Sequence, residues 1–145
     1  MKRFTQCICL VLVLATCLAV PAAAAEEISP YASSYFMCFS AYLWKTSGTE
    51  FEVWFDVTAV DGMAELGACV IKVQRSPDKS YWSTMRTYKK EDYPSMIRYD
   101  TGDHASYVTY SDGISGYYYR AYVEFYAKNS SGRGYYDFYT NPIKL

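Results

Sequence analysis

Between residues 51 and 60 the chain alternates strictly. Phe51, Val53, Phe55, Val57 and Ala59 fall on one side, and Glu52, Trp54, Asp56 and Thr58 on the other. A period of two sends successive side chains to opposite faces of a strand, so this stretch predicts a β-strand with one face in a core and one in water. The same rhythm returns over residues 35–44, 68–75, 81–88, 105–110, 117–128 and 135–143. In the third of these strands it directs Cys69, Ile71 and Val73 inward. Between them lie turn signals: Ser47-Gly48, a connection over 62–67, Ser76-Pro77-Asp78-Lys79, Ser111-Asp112-Gly113 and a Gly/Ser loop over 129–134. Proline presets φ at the second turn position and Asp bonds its own backbone, so the 76–79 turn has a physical cause. Only residues 89–103 break the rhythm, with a helical turn over 91–96 interrupted by Pro94. Seven short strands at this spacing predict an all-β sandwich over residues 34–145.

Composition supports strands. The 145 residues include 17 tyrosines, and aromatics make up 19%; tyrosine suits a pleated, half-buried surface. The formal net charge of −1 offers no field for nucleic acid or an anionic membrane.

The N-terminus reads as an export signal. Lys2 and Arg3 precede an apolar run from Cys7 to Val20, Pro21 breaks it, and Ala22 to Ala25 supply small residues for cleavage after Ala25. The expected organisation is a signal peptide over 1–25, a flexible leader over 26–33 and a secreted domain over 34–145, with no membrane contact after cleavage. An uncleaved anchor and a lipoprotein at Cys17 are the alternatives. Cys38 and Cys69 remain in the mature chain. They form either a disulfide closing about 30 residues, worth roughly 3 kcal/mol, or two reduced thiols.

Candidate chemistry is sparse. His104 is the only histidine, and with Asp100 and Asp103 it makes D-x-x-D-H. Zinc needs three or four ligands and no second His or suitably spaced Cys pair completes the set, so a polar loop is expected there. There is no G-x-S-x-G elbow and no cofactor motif, and no pair of carboxylates stands out for hydrolysis. The expectation is no catalytic residue, no metal and no cofactor. The most suggestive surface is aromatic. Alternation over 117–128 puts Tyr117, Tyr119, Ala121, Val123, Phe125 and Ala127 on the core side, leaving Tyr118, Arg120, Tyr122, Glu124 and Tyr126 outside. Tyr135, Asp137 and Tyr139 of the last strand lie alongside. Exposed tyrosines with interspersed charge suit sugar stacking and protein contacts; ordinary cross-strand packing of a solvated sheet face is the simpler explanation.

Val123, Phe125, Ala127, Asn129 and Gly132 fall at the spacings of the sixth strand and following loop of fibronectin type III domains. The family's tyrosine position holds Ala121, with Tyr119 two residues earlier. Residues 71–82 also resemble the third strand and turn of bacterial members. The resemblance implies an immunoglobulin/fibronectin type III-like sandwich and no particular activity. Met63, Leu66-Gly67-Ala68, Trp82, Asp92-Tyr93-Pro94, His104 and Gly116 to Ala121 resemble a second group. These are small secreted proteins of Clostridia-like Gram-positive bacteria, classed as a domain of unknown function, which implies export and a compact β fold. The reading is a non-catalytic extracellular module whose partner is carbohydrate or protein at a cell surface. A small bacteriocin-like effector and a hydrolase are the alternatives.

Overall fold

A computed structural model of the protein describes residues 34–145, so the expected signal peptide and leader lie outside the described residues. The chain forms β1 (Phe36–Lys45), β2 (Phe51–Ser76), β3 (Ser83–Lys89), β4 (Ile97–Tyr110), β5 (Tyr118–Asn129), β6 (Gly132–Tyr139) and β7 (Ile143–Lys144). The described residues are nearly all β, in one curled antiparallel sheet. The only helical piece among them is a single 3-10 turn, Pro94–Met96, where the sequence predicted a turn broken by proline.

β2 governs the architecture. Residues 51–60 and 68–75 read as two strands joined by a connection, yet they belong to one strand of 26 residues. Run straight, such a strand would extend about 85 Å, whereas a domain of this size has a radius of gyration of about 13 Å. It therefore has to bend. Its first half pairs with β1 on one side and β4 on the other. Its second half pairs with β5 and β3. The change of partners falls where the registers break, between Thr58 and Met63 against β4 and between Ala68 and Val70 against β5. Bulges of this kind bend and twist a strand.

The bend brings the inner faces of the two halves together. Phe51 meets Tyr119 at 5.3 Å between ring centroids, and Phe39 of β1 meets Phe125 of β5 at 5.1 Å. Val53, Phe55, Val57, Leu66, Ile71, Val73, Ala121 and Val123 fill the same core. The alternation thus predicts the inward set of β5 from Tyr119 to Ala127 correctly, and that of β2 except for Cys69. Buried tyrosine hydroxyls find partners, as a polar group out of water requires: Tyr88 donates to the Thr109 carbonyl (2.7 Å) and Tyr119 accepts from the Ile114 amide (2.8 Å).

Three expectations need correction. β4 begins at Ile97, so Asp100, Asp103 and His104 lie on a strand and not in a loop. Cys69 does not join Ile71 and Val73, because the bulge turns it out of the main core into a small cluster with Ile97 and Tyr126. Tyr126 is buried instead of exposed. It sits opposite Gly67, which has no side chain to hold the ring away from the sheet.

Candidate functional site

The outer face of the β3–β2–β5–β6 half carries the tyrosines singled out in the sequence. Antiparallel register sets them in rows. Lys72, Tyr122 and Tyr139 face one another across β2, β5 and β6; Gln74 faces Arg120; Tyr118 faces Lys144; Tyr126 faces Tyr135. Tyr135 and Tyr139 are exposed, while Tyr118, Arg120 and Tyr122 are half-buried. Sequence reasoning therefore brings five of its six binding candidates to the surface. Tyr126 instead contributes to the support beneath.

Cations stand over these rings. The Arg120 guanidinium lies 4.4 Å from the Trp82 ring centroid and 4.6 Å from that of Tyr139, and Arg120 Nε donates to Gln74 Oε1 at 2.8 Å. Lys72 lies 5.0 Å from the Tyr122 ring, and Lys79 and Lys144 lie 4.6 and 5.2 Å from Tyr118. Each ring's negative face attracts the charge, worth about 0.5–1 kcal/mol at exposed sites. Lys79 is delivered by the predicted turn. Ser76 Oγ accepts from the Lys79 amide (2.8 Å), Asp78 Oδ1 accepts from the Ser80 amide (2.9 Å), and Lys79 takes φ 69°. Trp82 and the lysines escaped sequence reasoning because they join the tyrosines only through the β2–β5 and β5–β7 registers and the turn. A residue-by-residue alternation shows neither.

Below this row the polar groups are mutually engaged. The Tyr122 hydroxyl donates to Asp137 (2.8 Å) and Glu124 (3.2 Å), and burial together with these carboxylates pushes its pKa upward. Cys69 Sγ donates to Glu124 Oε1 at 2.7 Å, and burial followed by that carboxylate keeps it a thiol. Cys69 and Cys38 are free cysteines, one buried and the other exposed. Cys38 pairs opposite Thr58, far along β2 from Cys69. Glu65 receives Lys128 (2.8 Å) and Lys90 (3.3 Å), which lower its pKa against the opposing effect of burial.

His104 lies on the inner side of β4, edge-on to Phe55 at 5.6 Å. Its Nε2 contacts the Ser95 carbonyl at 2.9 Å, while Nδ1 is buried without a partner. With a carbonyl as its neighbour, Nε2 carries the proton and Nδ1 is bare. Among the described residues no three His, Cys, Asp or Glu side chains gather where a metal would fit. Burial lowers the His104 pKa below 6.5, outweighing the Ser95 bond and the charges of Asp103 and Asp56, while Arg98 adds to the lowering. A depressed histidine pKa means the unfolded chain binds the proton more readily. Stability should thus be complete above pH 6.5 and fall as pH drops from there through the folded-state value. Urea midpoints measured between pH 7.5 and 5 should decline in the wild type and decline less in His104→Gln; parallel declines would refute the assignment.

Comparison of the chain with protein-family models, curated proteins and solved structures finds no match.

Proposed function

We propose that the protein is a secreted, non-catalytic binding module of immunoglobulin/fibronectin type III-like sandwich form, related to the small exported proteins of Clostridia-like Gram-positive bacteria. Its working surface is the outer face of β5 and β6, and its ligand is a cell-surface carbohydrate bearing acidic groups. The observation that carries this reading is Arg120, fixed between Trp82 and Tyr139 and tied to Gln74. A guanidinium held there keeps its orientation without a ligand, so little side-chain freedom is lost on binding. The exposed Tyr139 ring beside it offers an apolar surface for a sugar, and Lys72, Lys79 and Lys144 extend the positive charge along the face. Ring and cation in alternation suit a chain whose repeating unit has both an apolar sugar face and an anionic substituent.

Affinity electrophoresis of the mature protein through gels containing acidic or neutral polysaccharides tests this. Retardation is expected in an acidic gel. Tyr139→Ala and Arg120→Ala should each weaken binding about tenfold, equivalent to about 1.4 kcal/mol. Both positions are on the sheet surface, so the circular dichroism spectrum should be unchanged. Retardation equal to wild type in both variants would move the ligand off this face.

A further inference from the structure

The other half of the sheet has an outer face of different character. Register places Tyr42 of β1, Trp54 of β2 and Tyr107 of β4 side by side. The Tyr42 and Trp54 rings are 6.4 Å apart and nearly parallel (5°), and Trp54 and Tyr107 are stacked at 4.6 Å. Tyr42 is 50% exposed and Tyr107 46%, and Trp44, one row along, is 60% exposed. A soluble sheet normally turns polar residues outward here. Instead a three-ring row crosses the whole half.

Its charges have one sign. Over residues 40–44, 52–58 and 103–109 the outward positions include Glu52, Asp56 and Asp103 and no lysine or arginine. Glu52 holds the Trp54 indole N–H at 2.7 Å, which fixes the central ring. On the opposite half of the molecule, Tyr118, Tyr122, Tyr139 and Trp82 each carry a Lys or Arg over the ring. Among the described residues no cation stands over Tyr42, Trp44, Trp54 or Tyr107. The electrostatic attraction between ring faces and cations is therefore satisfied internally on one half, whereas on the other the outer faces of Tyr42 and Tyr107, at the two ends of the stack, and the Trp44 ring carry no cation.

From this contrast we infer that the β1–β2–β4 face is a docking surface for a basic polypeptide segment. Its arginine or lysine side chains lie against the outer faces of the Tyr42 and Tyr107 rings and against Trp44, with Trp54 bracing the row between them, and Glu52 and Asp56 meet their charges. The charge complementarity selects a cationic partner. The extent of the surface selects a polymer over a small cation: Glu52 and Asp56 flank Trp54 on one strand at four-residue separation, about 13 Å, and the rings run across three strands. Because the inner faces of the two halves meet in the core, this surface points away from the β5–β6 face, so the two operate independently.

The probe is a nine-residue arginine peptide titrated into the mature protein at low ionic strength, read by tryptophan fluorescence and calorimetry. A nine-residue glutamate peptide and neutral and amine-bearing glycan oligomers are run in parallel. Saturable binding of the arginine peptide is expected, weakening as salt is raised. Tyr42→Ala and Tyr107→Ala, both at exposed positions, should each bind about tenfold more weakly. Glu52→Gln combined with Asp56→Asn should do the same at low salt but approach wild type at high salt. Tyr139→Ala, on the opposite face, should bind as the wild type does. Failure of the arginine peptide to bind, or equal affinity in both ring variants, would overturn the inference. So would tighter binding of a glycan than of the peptide, which would assign the rings to sugar stacking.

Discussion

Replacing Gly67 by alanine should cost about 3 kcal/mol or more and leave much of the protein unfolded at 37 °C. Gly67 occupies the bend of β2, opposite both Ile97 and Tyr126, with φ at +154°. A β-carbon there would fall well inside the contact distance of the Met96 carbonyl oxygen and 3.1 Å from the His104 ring. The obstruction is backbone, held by the Pro94–Met96 turn, so it cannot rotate aside. The φ value adds strain for any residue with a side chain. Gly62 in the same strand is the control, since a β-carbon there meets nothing within 4 Å; Gly62→Ala should be neutral or slightly stabilising. Urea denaturation of the two variants checks both expectations. Equal midpoints would mean that the turn does not press on the bend as described.

Truncating Phe125 to alanine should destabilise by about 3–5 kcal/mol, a large share of the roughly 5–15 kcal/mol typical of a domain. Phe125 is fully buried on β5 and lies within ring-contact range of Phe39 on β1, Phe55 on β2 and Phe138 on β6. It is therefore one of the side chains through which the two halves of the sheet hold one another, beside the Phe51–Tyr119 contact. The cavity would be bounded by neighbours on three other strands, which limits collapse around it. Phe138→Ala should cost less, because that ring is only half-buried. The expected signature is a lowered urea midpoint at an unchanged slope. A loss below about 1 kcal/mol would show that the halves are not joined through this ring.

The inner face of β5 was legible residue by residue, because alternation is a local property and Tyr119, Ala121, Val123, Phe125 and Ala127 obey it without interruption. The 76–79 turn was legible for the same reason, since proline, aspartate and serine act on their own backbone. Reading failed where the alternation was broken or a distant strand intervened. Gly62 and Gly67 looked like the ends of a connection, yet β4 and β5 pair across that stretch and keep it extended. Tyr126 looked like its exposed neighbours in sequence and differs only because its cross-strand partner is a glycine. Cys69 follows the inward parity of residues 71 and 73 until a one-residue bulge reverses it.

The candidate surfaces divide in the same way. Tyr118 and Tyr122 of β5 and Tyr135 and Tyr139 of β6 could each be assigned to the outer side of their strand from spacing alone. That Arg120 lies between Trp82 and Tyr139 depends on how β2, β5, β6 and the segment before β3 meet. The Tyr42–Trp54–Tyr107 row joins residues 12 and 53 positions apart in the chain, and only the register of β1, β2 and β4 aligns them. By itself the sequence determined that this chain is built of strands and which side chains of most strands face inward, because the φ/ψ preferences and the period of two act between near neighbours. The tertiary structure decided that two of those strands are one bent strand, that Tyr126 is buried while its outward-facing neighbours are not, and which rings and charges share a surface. Those outcomes depend on register and bulges, where a shift of one residue exchanges the two faces of a strand.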